Sequence, residues 1–583
     1  MKKLVAIILI FIFLTGLVFA EESVRVDNSA NELLLYKYGY YKQKVRLVFE
    51  TSKVPEYSIY LSNDGKEITV DFVNTGPASS FKLTPFRYDY LVSGIEQKTV
   101  NFRRVQFVIK FKYKITQANI EDAVFKNPDR LVIDIFREYT VTNNLYLTKN
   151  IVLTQKLVIG QKDKLWINEL LIDKNAPGVS FNVVLANDDT KSRGKLSEMV
   201  VKKGALAGIN GGYFARGGGP LGLVIIDGKV VSDAVKTRPA RTAFGITKDK
   251  KIIFDRIFSK NGRIFTKDGS GDWSDVVYAL GAGPRLIKDG KIHITAMEEK
   301  LGKGGNDITS KNAGRSSLGV TKDDKLVFMT VSGYTSNEGQ GIRLYSLANR
   351  LRELGVMQGM NLDGGGSTLM CVEDNVISAP PEAKSKFERK IADGFLVFDE
   401  SPNLMPSAMR IEVLSPEVTA DGESMIGVNA FVFDRQGNPV PPGTPVFFYT
   451  ENGRISVSAK TVNDGMAHAY FKIGRKLGYW KVTARCGFVE AGADVLFKAG
   501  EPKYIFTDIE RNDKDKYELQ ILVNDRYYNP VWGKEVNLVI GNDKKRLTTD
   551  KDGIVKLNIV KETPGKIKIN IESEGLEPVE VSI

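Results

Sequence analysis

The sequence predicts a multidomain protein: an α+β central domain with a strand-rich core, preceded by a β module and followed by two small β-sandwiches. Three observations carry this. A chain of 583 residues exceeds what one core organises. From Val24 to about Phe136, apolar residues alternate with polar ones, as in Val45/Leu47/Phe49, Val105/Phe107/Ile109 and Leu131/Ile133/Ile135. That is the period of half-buried strands. Beyond Ser401-Pro402 and Pro406 the composition changes, marking a linker, and two stretches repeat one another. Asp434-Arg-Gln-Gly-Asn438-Pro439-Val440 matches Asp525-Arg-Tyr-Tyr-Asn529-Pro530-Val531, and Thr461–Gly465 matches Thr549–Gly553 as Thr-x-x-Asp-Gly. The copies are spaced by roughly 90 residues, about the length of a small sandwich.

The chain opens with Met1-Lys2-Lys3 and an apolar run from Leu4 to Leu14, and Val18-Phe19-Ala20 supplies a small residue before Glu21. This reads as a secretory signal over 1–20, which makes the protein exported: periplasmic, associated with the cell envelope, or secreted. No later stretch is apolar and long enough to span a membrane, so the mature chain is expected to have no transmembrane segment. The two cysteines, Cys371 and Cys486, fall in different domains, so stability is expected from cores rather than a disulfide. A net charge of +12 suits anionic envelope polymers and plain solubility alike. Lysines interspersed with acids argue against nucleic acid.

In the central region, about 150–400, a helical pattern (Leu344, Leu347, Ala348, Leu351, Leu354) stops at Gly355, and Val356–Leu362 reads as a strand. Alternation sends Met360 and Leu362 into the core and Asn361 and Asp363 to the other face. Gly364, Gly365 and Gly366 follow, with backbone N–H groups able to form an anion nest. Taken alone, Asp-Gly-Gly-Gly reads first as a capped turn. An upstream segment uses the same device: Gly204/Gly208/Asn210 corresponds to Gly355/Gly359/Asn361. Arg241–Phe254 and Arg315–Phe328 are closely similar as well, suggesting two half-sites that each offer an Asn and an Arg. Asp227-Gly228 and Asp289-Gly290 read as hairpin turns.

Gly208–Phe214, Ala282-Gly283-Pro284, Arg315 with Gly319, and Asn361–Met370 together resemble the phosphodiester glycosidase family. The resemblance implies hydrolysis of the glycosidic C–O bond of a sugar-1-phosphodiester by a domain at 150–400. Lys44–Glu50 and Asn127–Phe136 are similar to AMIN domains, so 24–137 is expected to be an AMIN-like domain that contacts an envelope polymer. The 406–499 stretch resembles bacterial Ig-like repeats, and 502–583 would be a second Ig-like domain.

The two histidines, His293 and His468, exclude a multi-histidine zinc site and leave a Ser-His-Asp triad without support. Acid–base work then falls to carboxylates, tyrosines or the substrate. Asp363 is the first candidate for the catalytic carboxylate. Glu338 is the second, although a charge at a helix N-terminus is the better account of it. Tyr334 could supply a hydroxyl. Arg241 and Arg315 could fork onto the phosphate, with Gly364–Gly366 completing its cradle. Asn210 and Asn361 could meet sugar hydroxyls, and Tyr213 and Phe214 could face the ring, core packing being an equal account of Phe214. Gly211, Gly212, Ser367 and Thr368 complete the substrate-binding set for a glycan or sugar-phosphate substrate. No cofactor is required; a hard divalent cation near Asp363 stays open, since Asp363 and Asn361 are oxygen ligands on one face.

Three stretches depart from the family pattern. Ser332-Gly333-Tyr334 stands where Asp-Gly-Arg is frequent, Gly314-Arg315-Ser316 where Pro-Arg-Thr is usual, and Lys390-Ile391-Ala392-Asp393 where Pro-Val-Ala-Asn is common. Two other readings are compatible with the sequence: a non-catalytic envelope glycan-binding protein, and a phosphodiesterase that cuts P–O.

Overall fold

The computed structural model describes residues 30–583 apart from 63, 87–88, 90, 161–163, 234–238, 261–262, 270–271, 302–307, 334–340, 380–387, 514 and 562–565. The signal reading of 1–20 and the candidates Tyr334 and Glu338 therefore lie outside the described residues. Strands dominate, with two α-helices among the described residues. None of the described helices is long and apolar enough to cross a membrane.

Alternation between Asn31 and Phe136 produces two sheets over one core. Strands Asn31–Tyr40, Lys44–Thr51, Arg130–Phe136, Ile120–Phe125 and Thr75–Pro77 form one sheet; Tyr57–Leu61, Glu67–Val73, Arg104–Phe111 and Val92–Asn101 form the other. Phe49, Phe72 and Phe107 meet between them, with ring centroids 4.9–6.0 Å apart. Burying each ring removes enough apolar surface to favour folding by about 1.5–3 kcal/mol.

Three large sheets and a two-stranded one (Phe214–Ala215 with Gly218–Pro220) build the described part of the central region. An eight-stranded sheet runs in the order Tyr139–Thr148, Ile151–Ile159, Lys164–Ile172, Leu326–Gly333, Arg315–Thr321, Val356–Asn361, Arg285–Lys288, Lys291–Ile292. A five-stranded sheet contains Val179–Leu185, Asp393–Asp399, Ala207–Asn210, Met370–Val372 and Asn375–Val376. A six-stranded sheet contains Lys229–Ser232, Val224–Ile226, Val276–Gly281, Arg241–Thr247, Ile252–Lys260 and Arg263–Thr266. They converge on Phe395. Its ring lies 5.6 Å from Phe181 of its own sheet, 4.7 Å from Phe244 of the six-stranded sheet and 5.1 Å from Phe328 of the eight-stranded sheet.

Helix α1 (Leu196–Lys203) buries Leu196, Met199 and Val200, and α2 (Leu344–Glu353) buries Leu344, Leu347, Ala348 and Leu351. Each ends next to a glycine in the left-handed region, Gly204 (φ 67°) and Gly355 (φ 76°), where a Cβ would be strained. A strand that ends in asparagine follows each one. Asp227-Gly228 and Asp289-Gly290 both have positive φ, and each turns a hairpin.

Residues 408–498 form two facing sheets, and a further pair is built from Pro502–Ser582. The apolar core of the central region continues without interruption into the first of these units. The stretch expected as a linker is accordingly docked. The Leu404 N–H donates to the Leu147 carbonyl (2.8 Å), Met405 is buried, and Asn403 donates to Glu373 (2.8 Å). The first β unit also meets the 408–498 unit, through the Arg475–Glu56 ion pair (2.9 Å) and the Ile455 N–H on the Gln117 side-chain oxygen (3.1 Å).

Candidate active site

The two hairpins that look alike in sequence also pair alike. In the first, Ala243 faces Gly281 and Gly245 faces Ala279, with a register slip at Thr247. In the second, Ser317 faces Asn361 and Gly319 faces Gly359, with the slip at Thr321. Just past each third strand, one N–H closes the ladder: Ala282 onto the Thr242 carbonyl (3.0 Å), Leu362 onto the Ser316 carbonyl (2.8 Å). Gly283 and Asp363 thus occupy matching places, one residue further on.

The two asparagines bind the carbonyls at these matching places. Asn210 Nδ2 donates to the Asp363 carbonyl (2.8 Å), and its Oδ1 accepts from Ser316 Oγ (2.6 Å) and the Leu369 N–H (3.0 Å). Asn361 Nδ2 donates to the Gly283 carbonyl (3.1 Å) and to Tyr213 Oη (3.3 Å). Both residues are 1% exposed. The expectation that they meet sugar hydroxyls is corrected on that ground: their amides hold the two loops in place. The half-site idea changes too. Asn210 comes from the five-stranded sheet, whereas the hairpin repeat carries Gly281 where its partner carries Asn361.

Asp363 stands where the strand and the glycine loop meet. Its N–H donates to the Gly211 carbonyl (3.0 Å), and its Oδ1 accepts the Gly364 N–H (3.0 Å). Burial raises the carboxyl above its ordinary pKa; Ser367, the Gly364 N–H and the positive charge of Arg389 oppose that rise. Beside it lies a residue that sequence reasoning noted only as a departure, Asp393. Its Oδ1 accepts the Gly212 N–H (2.7 Å) and its main-chain carbonyl accepts the Gly211 N–H (3.0 Å). This approach explains both glycines: a Cβ on Gly211 would sit 1.9 Å from Asp393 Oδ1, and one on Gly212 2.4 Å from the Gly281 carbonyl oxygen.

The glycine loop offers less than a full nest. Gly364 donates to Asp363, and Gly365 (φ 61°) donates to the Gly314 carbonyl (2.8 Å), so Gly366 is left as the donor for an anion. The guanidinium of Arg389, a second residue the sequence did not single out, lies over Gly366, its Nη1 3.3 Å from where a Cβ would be. It is exposed, stacks 5.5 Å from the Phe214 ring centroid and makes no ion pair among the described residues. Phe214 itself packs against the cluster around α1. Ser367 and Thr368 are buried beneath the loop.

Arg315 is a correction. It is 3% exposed, and its guanidinium donates to the carbonyls of Ile342 (3.0 Å), Ile308 (2.7 Å) and Lys311 (2.8 Å). A donor set committed to three main-chain carbonyls fixes loops, and is not free to fork onto a phosphate. Arg315→Ala should therefore lower folding stability by about 2–4 kcal/mol, each charged hydrogen bond contributing about 1.5–3 kcal/mol before rehydration. A denaturant titration checks this, and an unchanged midpoint would return Arg315 to ligand duty. Arg241 lies half-buried, its Cζ 5.5 Å from the Tyr213 ring centroid, at a small cleft lined by Leu221, Leu223, Ile257 and Phe258. Tyr213 donates its hydroxyl to the Gly283 carbonyl (2.8 Å), and burial with the nearby Asp363 charge raises its pKa. Its ring is packed between two core clusters rather than presented as a platform.

Glu299 was also missed. Fully buried, it accepts from the Thr242 N–H (3.0 Å), Thr242 Oγ1 (2.6 Å), Thr295 Oγ1 and the Arg285 N–H (3.3 Å), and it props the Gly283 loop. Ser332 donates to the Ser378 carbonyl (2.7 Å). Among the described residues, no three His, Cys, Asp or Glu side chains gather as they would around a metal ion.

Residues 203–398 match the phosphodiester glycosidase family model. The chain is 26% identical over 200 residues to the N-acetylglucosamine-1-phosphodiester alpha-N-acetylglucosaminidase of Mus musculus, covering 33% of this chain and 36% of that protein. Its Homo sapiens counterpart is 27% identical over 180 residues, 30% and 33% of the respective lengths. The chain thus spans about a third of the length of these curated relatives. The zebrafish catalytic domain of the same name, auto-inhibited by its pro-peptide, aligns over 45% of this chain and 89% of its own, with 20% identity and a TM-score of 0.33. Residues 203–398, which hold Asn210, Asn361, Asp363 and Asp393, belong to the phosphodiester glycosidase family.

Proposed function

We propose that this domain hydrolyses the glycosidic C–O bond of a sugar-1-phosphodiester. The observation that carries the reading is the placement of one carboxylate, Asp363, next to one uncommitted anion-binding patch, Arg389 with the Gly366 N–H. In this scheme the anomeric C–O bond breaks and its electron pair leaves with the phosphate oxygen. Arg389 and Gly366 stabilise that departing anion, and Asp363 stabilises the oxocarbenium-like centre and takes a proton from the attacking water. A phosphate leaves without strong help from an acid, so one carboxylate suffices for the attack.

The exported setting belongs to the same proposal. The basic-then-apolar start, the AMIN-like reading of 24–137 and the Ig-like readings of 406–499 and 502–583 support work on envelope or extracellular glycans. Hydrolysis in heavy-oxygen water tests the bond cleaved: the label is expected on the anomeric carbon of the released sugar. Label in the phosphate would replace this reading with P–O cleavage.

Arg389→Gln should raise KM for charged phosphodiesters about tenfold or more while leaving neutral aryl glycosides nearly unaffected. A charge-assisted phosphate contact is worth about 1.5–3 kcal/mol. Equal losses on both substrate types would remove Arg389 from the phosphate site.

A further inference from the structure

The hydrolysis above uses one carboxylate, yet a second is buried against it. Asp393 is 1% exposed, and of its two carboxyl oxygens only Oδ1 has a partner, the Gly212 N–H at 2.7 Å. Oδ2 is buried without a hydrogen bond. Gly211 bridges the two acids, donating its N–H to the Asp393 carbonyl and accepting the Asp363 N–H on its own carbonyl, each at 3.0 Å.

Around Asp393 a single neutral donor favours a negative charge, and burial and a like charge outweigh it. Its own strand continues as Gly394-Phe395-Leu396, and helix α1 turns Leu196 and Met199 toward Gly394. From the loop after Ala207–Asn210 it receives one neutral donor, Gly212. From the loop after Val356–Asn361 it faces Asp363, the one charged group that acts on it, and with the wrong sign. The other charges nearby act on other groups: Arg389 on Asp363, and Arg241, Arg315 and Glu299 on the phenol of Tyr213. Asp363, by contrast, has the Gly364 N–H, Ser367 and Arg389 to stabilise its anion.

Building on the hydrolase reading, we propose that Asp393 is a positioning residue that stands in the site as a neutral carboxylic acid. It holds the Gly211-Gly212 turn against Asp363 without adding a second negative charge to a cleft that must admit an anionic substrate. Burial, reinforced by Asp363, pushes its pKa up to about 7. Above that pH its proton goes to solvent, two carboxylates face each other, and an anionic phosphodiester is repelled.

The sign of the accompanying stability change is fixed by linkage. With the folded pKa near 7 and the unfolded value at 3.8, the folded state binds more protons between those limits. Stability from this group is therefore full below about pH 4 and is lost as pH rises towards about 7.

The test is Asp393→Asn, which keeps the acceptor for Gly212 and removes the titration, studied in the full chain. For the wild type, kcat/KM on a charged sugar phosphodiester should fall about tenfold per pH unit above the apparent pKa near 7. The variant should lose that alkaline limb and retain the acidic limb set by Asp363. Its melting temperature should rise relative to the wild type as pH goes from 4 to 7 and run parallel above. A variant that keeps the wild-type alkaline limb, or is inactive at every pH with a native melting temperature, overturns the proposal. Carboxyl-labelled aspartate NMR of the wild type is a second arm that needs neither activity nor a folded variant. It should show an aspartate titrating near neutrality, and finding every aspartate ionised by pH 5.5 overturns the proposal. Because the melting and NMR arms need no turnover, an inactive wild type would count against the hydrolase reading alone.

Discussion

Asp363→Asn should abolish turnover while leaving the fold intact. With carboxylate stabilisation of the positive centre gone, kcat/KM should fall by about three orders of magnitude or more, roughly 4 kcal/mol of transition-state stabilisation. The fold should not suffer, because this carboxyl is one that burial already pushes towards its neutral form. An amide in its place removes a desolvated charge and keeps an acceptor for the Gly364 N–H. The measurement is a steady-state assay paired with a melting curve. Near-normal turnover would reduce Asp363 to a turn residue; a collapse of the melting temperature would make it a structural one.

Cutting the chain after Glu400 should destabilise the central domain. Leu145 and Leu147 are buried at 1% and 0% exposure. Leu147 carries the docked Leu404 backbone, and Leu145 packs at 3.2 Å from the Cβ position of Gly487 in the following unit. Uncovering both side chains costs about 3–6 kcal/mol, a large part of the ~5–15 kcal/mol that holds a domain together. Ending the chain at Ala499 instead keeps this contact and should leave the melting temperature within a few degrees of the full protein. A 1–400 fragment as stable as the whole chain would show that the continuous core contributes nothing.

The site was legible in sequence where chemistry is local. Helix α2, its Gly355 stop, the strand into Asn361 and the two Asp-Gly hairpins follow from period and turn preference, and the structure has each in place. The likeness of Arg241–Phe254 to Arg315–Phe328 likewise survives as matching strand registers. What a sequence cannot display is which donor is already spent. Arg315 looks as available as any arginine until the 308–311 and Ile342 backbone wraps around it. Asn210 and Asn361 look like ligand amides until the ends of strands in other sheets supply carbonyls for them. Arg389 and Asp393 reach the site through pairing of Asp393–Asp399 with Ala207–Asn210, a tertiary contact with no local signature. Pro402 and Pro406 marked a change of composition correctly, but proline content says nothing about whether a connection docks.

The crossed asparagine bonds have a mechanical consequence. The carbonyl of Asp363 is held by a side chain from one sheet, and the carbonyl of Gly283 by a side chain from another. Neither loop can swing outward until a strand in the opposite sheet also lets go, so small independent openings are suppressed on both sides. Amide protons at Asp363 and Leu362 should accordingly exchange with solvent on the timescale of whole-domain unfolding, unlike that of the exposed Gly366 beside them. A reaction centre tied in this way is rigid before any ligand arrives, and the freedom needed to admit a substrate has to come from the loops around it.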